Sequence, residues 1–333
     1  SVFGIPCPPS KLFSSAPRGQ ALLVSESMAE AAPGCRSSEC TDLVPFSLSS
    51  PFTDHLRLPE RTLSLRGCEF RIEQGWEADG RGGTTLGFGA SVYPAAIVLA
   101  DFLLQLGPRR LRRRNVLELG CGVGLSAIAA ARAGAARVLA TDGDAKAVEL
   151  CKRNSARHLE GLHSDRGAPT WRVGKLEARQ LLWGDHSATE EATAEMGGVD
   201  VVIGADIAAC PYAAALEALA RTISQLLGST PISGPEAERS WASATAAVAG
   251  LLGSLEDAGA PRPACAELML LAYKRRGGET EQEFFRALER LGVRVAATAT
   301  DEEIHPDFRV SDGASGLPGE RVKLLVLTRA RPA

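Results

Sequence analysis

The sequence predicts an α/β protein built on one open, doubly wound sheet of six or seven strands. Short apolar runs alternate with helical patterns along the chain from residue 115 onward. The first of these runs leads into a turn with glycine at every second position, at Gly120, Gly122 and Gly124. Strands that alternate with helices imply a parallel sheet with helices on both faces. In such a sheet, the first turn from strand to helix is a usual ligand site.

The elements ahead of the sheet are a hairpin or edge strand and one helix. Residues 63–74, LSLRGCEFRIEQ, alternate apolar and polar side chains, as a half-buried strand does. A glycine-rich connection follows at 75–89. The stretch YPAAIVLADFLLQLG then places apolar side chains on one helical face. Pro94 suits the first turn of that helix, and Gly107 is its expected end.

The sheet and its covering helices follow in a regular order. The predicted elements are a strand at 115–119, a helix from about Leu125, a strand at 137–141, a helix at 145–158, a strand at 199–204, a helix at 213–227, the strand ELMLLAY, the helix EQEFFRALERLG, and the strands VRVAAT and VKLLVLTRA. Asp144 stands directly before AKAVEL, where it would cap the second helix. The region that ends in RQLLWGD has no clear pattern, so the strand count stays at six or seven.

Charge and cysteine content exclude several classes of protein. The 333 residues hold 37 basic and 40 acidic side chains, so the net charge of -3 gives no general case for binding nucleic acid or a membrane surface. The run PRRLRRR at 108–114 is a local exception. We interpret it as a solvated loop, with an acidic partner or an RNA surface as the alternative. The eight cysteines include no CxxC pair and no nearby histidine cluster, so neither disulfides nor a metal site are expected. A reducing, cytoplasmic location follows.

The chain divides into a tail and one folded domain. Residues 1–57 are predicted to be a disordered or targeting-like tail, because the first fifty are rich in serine and proline and lack acidic residues before Glu26. Organelle targeting is the alternative to a cytoplasmic location. Residues 58–333 form the predicted domain. It contains an insert at 228–264, with Gly, Pro and Ser at both ends and one helix near 243–258.

Two cofactors are compatible with the glycine turn. A nicotinamide dinucleotide would use the pattern GxGxxA, which Gly122, Gly124 and Ala127 provide, with Asp142 near the expected ribose spacing. Glu118, two residues before the first glycine, argues against it, because a carboxylate opposes a pyrophosphate at a helix N-terminus. A cationic ligand without phosphate, such as S-adenosylmethionine, would gain from Glu118. The glycines alone do not decide between the two.

An ordered set of motifs then narrows the choice. VLELGCGVGL, VLATDGD and GAD resemble the nucleotide-site motifs of class I methyltransferases, whose Rossmann-like sheet has seven strands. GASVYPAAIVLADFL, LLWGD, VVIGADI and AYKRRGGETEQEFF resemble, more narrowly, the non-SET protein-lysine methyltransferases. The resemblance covers roughly residues 63–329 with the order of motifs kept. It implies a seven-stranded sheet with a short N-terminal strand and helix extension, and S-adenosylmethionine as the cofactor.

The resemblance also implies cofactor contacts for the glycine turn. Gly120, Cys121 and Gly122 would line the methionine and ribose part of the cofactor, with Gly124 closing the same turn. Asp142 would accept hydrogen bonds from both ribose hydroxyls, which suits a carboxylate with two acceptor oxygens.

Further positions follow from the same resemblance. Trp183 would flank the adenine, although a purely structural role in the core is the alternative. Ala205 would lie near the sulfonium. Tyr93 stands where the family usually has tryptophan, and it is expected to pack against the cofactor. Cys121 and Cys151 are expected to be small buried side chains rather than nucleophiles.

The acceptor side departs from the family pattern. The family places an aspartate and a tyrosine as DxxY after the fourth strand, whereas this chain has ADIAACPY. Asp206 matches the aspartate, but Ala209 stands at the tyrosine position. Pro211 can open the next helix, which would place Tyr212 at the start of that helix. We therefore predict Asp206 and Tyr212 as catalytic residues, with Tyr212 as a packing residue under the insert as the alternative.

These residues predict an S-adenosylmethionine-dependent methyltransferase that acts on a lysine side chain of a protein. The alternatives are a methyltransferase for a small molecule or another side chain, and an interaction module that binds the cofactor without transfer. We expect a monomer that needs no metal, membrane or nucleic acid. The insert is expected to shape the choice of acceptor.

Overall fold

The computed structural model describes residues 55–78, 84–159, 174–210, 212–230, 241–252, 264–274, 278–300 and 322–330. The predicted tail at 1–57 lies almost wholly outside these ranges, and so does much of the predicted insert. The predicted domain boundaries therefore stay predictions. Within the described ranges, no helix is both long enough and apolar enough to cross a membrane.

The strands form a two-stranded hairpin and one large sheet. In chain order they are β1 (Glu60–Leu65), β2 (Cys68–Glu73), β3 (Asn115–Leu119), β4 (Arg137–Asp142), β5 (Lys175–Gln180), β6 (Val201–Ala205), β7 (Ser229–Thr230), β8 (Leu268–Lys274), β9 (Val293–Thr300) and β10 (Val322–Ala330). The large sheet has the order β5-β4-β3-β6-β8-β10-β9, and the two residues of β7 pair with the end of β10. Strands β3 to β6 and β8 are parallel, while β10 is antiparallel to both of its long neighbours. The seven long strands confirm the predicted fold class.

The helices cover both faces of this sheet. They are α1 (Pro94–Leu111), α2 (Leu125–Arg132), α3 (Ala145–Leu159), α4 (His186–Met196), α5 (Ala213–Leu226), α6 (Trp241–Leu252) and α7 (Glu279–Arg290). Side chains of α1, α2 and α6 share one buried cluster with Val116 and Val201, whereas α4, α5 and α7 share another with Leu117 and Val202. Neighbouring strand residues thus point to opposite faces, as a two-residue strand period requires.

The described structure differs from the sequence prediction at three elements. Strand β5 and helix α4 occupy the region that had no clear pattern. The predicted stop at Gly107 is a kink instead: its φ of 55° and ψ of -165° are not helical, and Pro108 begins a short continuation to Leu111. The predicted insert helix is described at Trp241–Leu252, and residues 253–258 of its predicted range lie outside the described residues.

The hairpin is attached to the helices through a third apolar cluster. Phe70 and Ile72 pack there with residues of α1, α2 and α3. Arg66 at the hairpin turn donates to the buried carboxylate of Asp101 in α1 at 2.9 Å. The expected strand pattern at 63–74 is confirmed as this hairpin.

The arginine run is not wholly a solvated loop. Arg114 donates to Asp200 at 3.2 Å, to Glu267 at 3.5 Å and to the carbonyl oxygen of Leu252. Its guanidinium group thus ties the C-terminal end of α6 to the amino ends of β3, β6 and β8. Arg109 and Arg112 are exposed, as predicted for the run as a whole.

Candidate active site

The candidate site lies at the carboxyl edge of the parallel strands. The chain passes from β3 outward through β4 to β5 and then returns to β6 on the other side of β3. This change of direction opens a crevice between the carboxyl ends of β3 and β6, which is the usual ligand position in such sheets. The residues that follow β3, β4, β5 and β6 all meet at this edge.

The glycine turn connects β3 to α2 in a left-handed backbone. Gly120, Gly122 and Gly124 have φ values of 67°, 49° and 88°. L-residues with a Cβ rarely adopt these angles, so glycine is required for the turn itself. The N–H of Cys121 donates to the carbonyl of Thr141 at 2.8 Å, which fixes the turn against the end of β4.

Asp142 links the end of β4 to the glycine turn. Its Oδ2 accepts from the N–H of Gly122 at 2.9 Å, and its Oδ1 accepts from the N–H of Asp144 at 3.0 Å. Burial raises the pKa of Asp142, while the N–H donors of Asp144 and Gly122 oppose that shift. Asp144 accepts from the N–H of Lys146 at 2.8 Å, which confirms its predicted role as the cap of α3.

Glu118 is a buried carboxyl group beneath the same turn. Its side chain is 1% exposed, and its Oε2 has no hydrogen-bond partner in the described part of the chain. Burial raises the pKa of Glu118 well above its ordinary value, although Ser126 and the N–H of Ala127 donate to the carboxyl group. The charge of Asp142 raises this pKa further. An incoming hydrogen-bond donor or cation can interact with the unused lone pair of this buried acceptor.

Trp183 lies in the turn after β5 and borders the glycine turn. A Cβ placed on Gly120 would lie 3.5 Å from Trp183 Cζ2 and 2.6 Å from Ile207 Cγ2. The indole also packs against the cluster under α4, α5 and α7. Leu182, next to it, is 57% exposed although it is a large apolar side chain.

Ala205 and Asp206 end β6 on the other side of the crevice. Asp206 has a left-handed backbone with φ of 58°, and its N–H donates to the carbonyl of Ala272 at 2.7 Å. Its Oδ1 accepts from the N–H of Lys274 at 3.1 Å. The carboxylate therefore helps to hold β8 beside β6. Ala209 closes the following 3-10 turn by donating to the carbonyl of Asp206 at 3.1 Å.

Tyr212 stands at the N-cap of α5, so its predicted place at the helix start is confirmed. Its side chain is 69% exposed. Pro211, on which the sequence argument depended, lies outside the described residues. Most of the insert under which Tyr212 would pack in the alternative interpretation also lies outside the described residues, so both interpretations of Tyr212 stay predictions.

Tyr93 is the N-cap of α1 and is half-buried. A few residues earlier, Gly89 lies directly over the glycine turn, because a Cβ on Gly122 would lie 3.4 Å from the Gly89 Cα. The segment Gly87–Ala90 therefore borders the crevice, and its Phe88 is 63% exposed.

The structure brings most of the predicted site residues to one edge and adds four that sequence reasoning missed. The added residues are Gly89, Leu182, Ile207 and, beneath the turn, Cys151. Gly89, Leu182 and Ile207 each lie inside a motif that resembles the family, GASVYPAAIVLADFL, LLWGD and VVIGADI. Their positions beside the glycine turn, and that of Cys151, could not be read from the sequence, because this proximity results from packing between distant segments.

The comparisons with known proteins agree with this geometry. A family model described as lysine methyltransferase matches residues 79–233. Protein N-lysine methyltransferase METTL21A from Danio rerio and from Mus musculus are each 31% identical over 166 residues, which is 50% of this chain and 66% of each relative. Ribosomal protein L11 methyltransferase from Thermotoga maritima is 41% identical over 68 residues, 20% of this chain and 24% of that protein. The chain thus spans about two thirds or less of the length of these curated relatives.

The seven-stranded sheet with its antiparallel β10 and the glycine turn after β3 define the class I, S-adenosylmethionine-dependent methyltransferase fold. Within that class the chain resembles the non-SET lysine methyltransferases, as the family match over residues 79–233 shows. This range includes the predicted cofactor and acceptor residues from Tyr93 to Tyr212.

Proposed function

We propose that the chain transfers a methyl group from S-adenosylmethionine to a lysine side chain of a protein. One observation carries the proposal: the range 79–233 that matches the lysine methyltransferase family also builds the crevice at the carboxyl ends of β3 and β6. The identity of the cofactor is supported by the chemistry of the side chains there. The lysine acceptor is supported by the family match and by the two METTL21A relatives.

The buried polar groups fit this cofactor. S-adenosylmethionine supplies a methyl group on a sulfonium, and it carries cationic and hydroxyl groups but no phosphate. Glu118 Oε2 is a buried acceptor without a partner among the described residues, so a nearby cation or donor would offset its cost of burial. A pyrophosphate would gain nothing from this carboxyl group. The site therefore favours S-adenosylmethionine over a nicotinamide dinucleotide.

The remaining cofactor residues fit as well. Asp142 accepts the N–H of Gly122 at Oδ2 and that of Asp144 at Oδ1, and the N–H of Gly143 also stabilises its charged form. A carboxylate has about four lone-pair sites, so Asp142 can still accept a ribose hydroxyl. The bare backbone at Gly120 and Gly122 lets a ligand approach main-chain atoms. Trp183, beside Gly120, would flank the adenine, with the exposed Leu182 next to it.

The acceptor residues would position and neutralise the amine. A lysine with a pKa near ~10.4 must lose its proton before transfer, which costs roughly 4 to 5 kcal/mol at pH 7. Asp206 at the end of β6 would hold the amine and accept the proton that the amine loses. Tyr212 at the start of α5 would line the entrance in place of the tyrosine that Ala209 replaces. Transfer itself then depends mainly on alignment and on exclusion of water.

A second function is favoured by the departure of this chain from the DxxY pattern of the family. Ala209 removes the hydroxyl that the family pattern places after Asp206. A module that binds the cofactor and interacts with a partner, without methyl transfer, would tolerate this loss.

The decisive experiment combines binding and transfer. We expect S-adenosylhomocysteine to raise the melting temperature, since a ligand at a hundredfold excess over its Kd stabilises the folded state by about 2.7 kcal/mol. NAD is expected to have no effect. Asp142→Ala should reduce the shift, whereas the matched variant Asp144→Ala should keep it, because Asp144 caps α3.

Transfer is then measured with radiolabelled S-adenosylmethionine and a cell lysate, followed by mass spectrometry of labelled peptides. Label on lysine supports the proposal. Tight binding without label on any protein or small molecule would instead support the interaction module. A shift with NAD alone would contradict both.

A further inference from the structure

Helices α5 and α7 pack side by side on one face of the sheet and leave a groove between their outer surfaces. The groove has a volume of about 460 Å³, within the roughly 300 to 1,000 Å³ that is usual for ligand sites. Its floor is apolar, because Leu216, Phe284 and Ala287 line it and are at most 3% exposed. The proposed methyl transfer does not account for this groove.

The groove begins beside the proposed acceptor residues. Helix α5 follows β6 through the turn that starts at Asp206, and α7 follows β8, which is parallel to β6. The first turns of both helices therefore lie at the carboxyl edge of the sheet. The 3-10 turn Ile207–Ala209 also contacts α7. The groove thus starts next to Asp206 and Tyr212 and runs away from the crevice along both helices.

The two ends of the groove differ. At the end beside Tyr212, the exposed Ala213 and Ala214 line it, and their short side chains leave it open. At the other end, Arg290 of α7 forms a salt bridge with Glu217 of α5 at 3.4 Å. An occupant that extends from the acceptor residues can therefore follow the groove only as far as this salt bridge.

Two exposed charges of α7 border the groove between these ends. Glu283 is nearer to the open end, and Arg286 is nearer to the closed end. Neither forms an ion pair with another described residue, although only three positions separate them on the helix. A complementary occupant would place a cationic side chain towards the open end and an anionic one towards the closed end.

We propose that this groove binds a segment of the acceptor protein that extends from the lysine to be methylated, an inference that rests on the proposed function. One apolar side chain of the segment lies over Phe284, and an acidic residue beyond it faces Arg286. Charge complementarity and continuity with Asp206 and Tyr212 favour this occupant, because the cationic lysine is then at the open end.

The helix geometry limits the spacing in such a segment. From Tyr212 to Glu217 the axis of α5 advances by about 7.5 Å, at ~1.5 Å per residue. An extended chain covers this length in about two or three residues, at ~3.3 Å each. The apolar residue should therefore stand within about five residues of the acceptor lysine.

The test uses the full chain and fluorescent synthetic peptides, each with one lysine in a background of serine and glycine. One leucine is moved through the six positions on each side of the lysine, with a glutamate on its far side. Transfer from radiolabelled S-adenosylmethionine gives kcat/KM, and fluorescence anisotropy gives Kd. Leucine at one position should improve both by about tenfold or more relative to serine, as burial of one leucine side chain does.

Variants at the groove then test whether it causes this preference. Ala214→Trp fills the open end and should reduce the ratio of leucine to serine peptides to about one, with S-adenosylhomocysteine affinity unchanged. The matched control Ala194→Trp, at an exposed position of α4, should keep the ratio. Arg286→Glu should disfavour the glutamate peptide and favour its arginine counterpart, a reversal that general damage to the fold does not produce.

Equal kcat/KM and Kd for leucine and serine peptides in the wild type would overturn the proposal, and so would a preference that survives Ala214→Trp. A lower melting temperature of that variant, without a change in the peptide ratio, would assign the groove to a segment of this chain. Self-association that the variant abolishes, seen by ultracentrifugation, would assign it to a second copy. The lysate experiment decides the proposed function separately. A chain that labels no lysine there, but keeps the anisotropy ratio, would bind such segments without methyl transfer.

Discussion

Asp206 has two roles to separate in any experiment on the acceptor side. Its carboxylate is proposed to hold the amine, but its Oδ1 also accepts the N–H of Lys274. Its left-handed φ of 58° is tolerated by Asp and Asn better than by other L-residues. Asp206→Ala would therefore damage the β6 to β8 connection as well as the chemistry. Asp206→Asn keeps the backbone and one acceptor oxygen, and it removes only the charge.

We expect Asp206→Asn to lower the methyl transfer rate by about a hundredfold or more, as is typical of a group that assists proton transfer. Its melting temperature and its affinity for S-adenosylhomocysteine should stay close to those of the wild type. Calorimetry and a transfer assay on the labelled acceptor check this. Equal transfer rates in the two proteins would show that this charge is not required.

Tyr212 offers a cleaner test, because its side chain is 69% exposed. Tyr212→Phe should reduce transfer several-fold while leaving cofactor affinity unchanged, since the hydroxyl is proposed to meet only the acceptor. Tyr273→Phe is the matched control: that ring packs in the core beside Phe285, 5.4 Å between centroids. A Tyr212→Phe enzyme with full turnover would assign Tyr212 to the surface alone.

The sequence predicted the glycine turn well, because its residues are adjacent in the chain and each has a physical signature. It also predicted Asp142 and the Asp144 cap from their positions after an apolar run. It could not predict the contact between Gly124 and Cys151, since these residues lie on different elements. Their proximity depends on how α2 and α3 pack.

Gly124→Ala makes that contact measurable. The added Cβ would stand at φ of 88° and 2.6 Å from Cys151 Sγ. The left-handed backbone alone costs about 1 to 2 kcal/mol, and the clash adds to it. Gly250→Ala in α6 is the matched control, because no atom of another described segment lies within 4 Å of its added Cβ. It should stabilise the helix by about 0.5 to 1 kcal/mol. Urea unfolding compares the two, and equal stability of Gly124→Ala and wild type would refute the geometry.

At the scale of elements, β5 and α4 show why sequence patterns fail to predict some strands and helices. Among the described strands, β5 is at the end of the sheet and pairs with β4 alone, and its residues KLEARQ are mostly half-buried. An edge strand needs few apolar side chains, which removes the signal that identified β3 and β6. The sequence HSATEEATAEM of α4 has a weak apolar stripe, and its ends carry the clearer signal. Asp185 caps the start, and Gly197 has a left-handed φ of 72° at the end.

The cap at Asp185 gives the element-scale prediction. Its side chain accepts from the N–H of Ala188 at 3.0 Å. Asp185→Ala should lower the free energy of unfolding by about 1 kcal/mol, the usual cost of a lost N-cap. Glu191→Ala on the exposed side of the same helix should change it by less than about 0.5 kcal/mol. Both are read from urea titrations at neutral pH, and no difference between them would show that α4 does not depend on this cap.

At the scale of the whole molecule, the strand order creates the site and also buries an acidic side chain, which lowers the stability of the fold. The return of the chain to β6 opens the crevice beside β3, and the same arrangement buries Glu118 between the sheet and α2. The sequence placed an acid at this position, but the degree of burial follows from the complete sheet with its helical cover. A folded protein that keeps such a group gives up stability for a function elsewhere in the site.

Glu118→Gln tests whether this buried carboxyl group lowers the melting temperature and contributes to cofactor affinity. Because burial raises the folded pKa of Glu118 above its ordinary value, the folded state binds this proton more tightly than the unfolded state does. The stabilisation by that proton is complete below the unfolded pKa of about 4.3 and is lost as pH rises through the folded pKa. Glutamine is neutral at every pH and has no such loss. The variant should therefore melt higher than the wild type at neutral pH, and the difference should grow from about pH 4.3 upward.

The exposed control Glu191→Gln should have the same melting temperature as the wild type at each pH. If Glu118 also faces the cationic part of the cofactor, S-adenosylhomocysteine affinity should fall in the stabilised variant. A melting profile for Glu118→Gln that parallels the wild type at all pH values would show that this carboxyl group is not the buried acid of the structure.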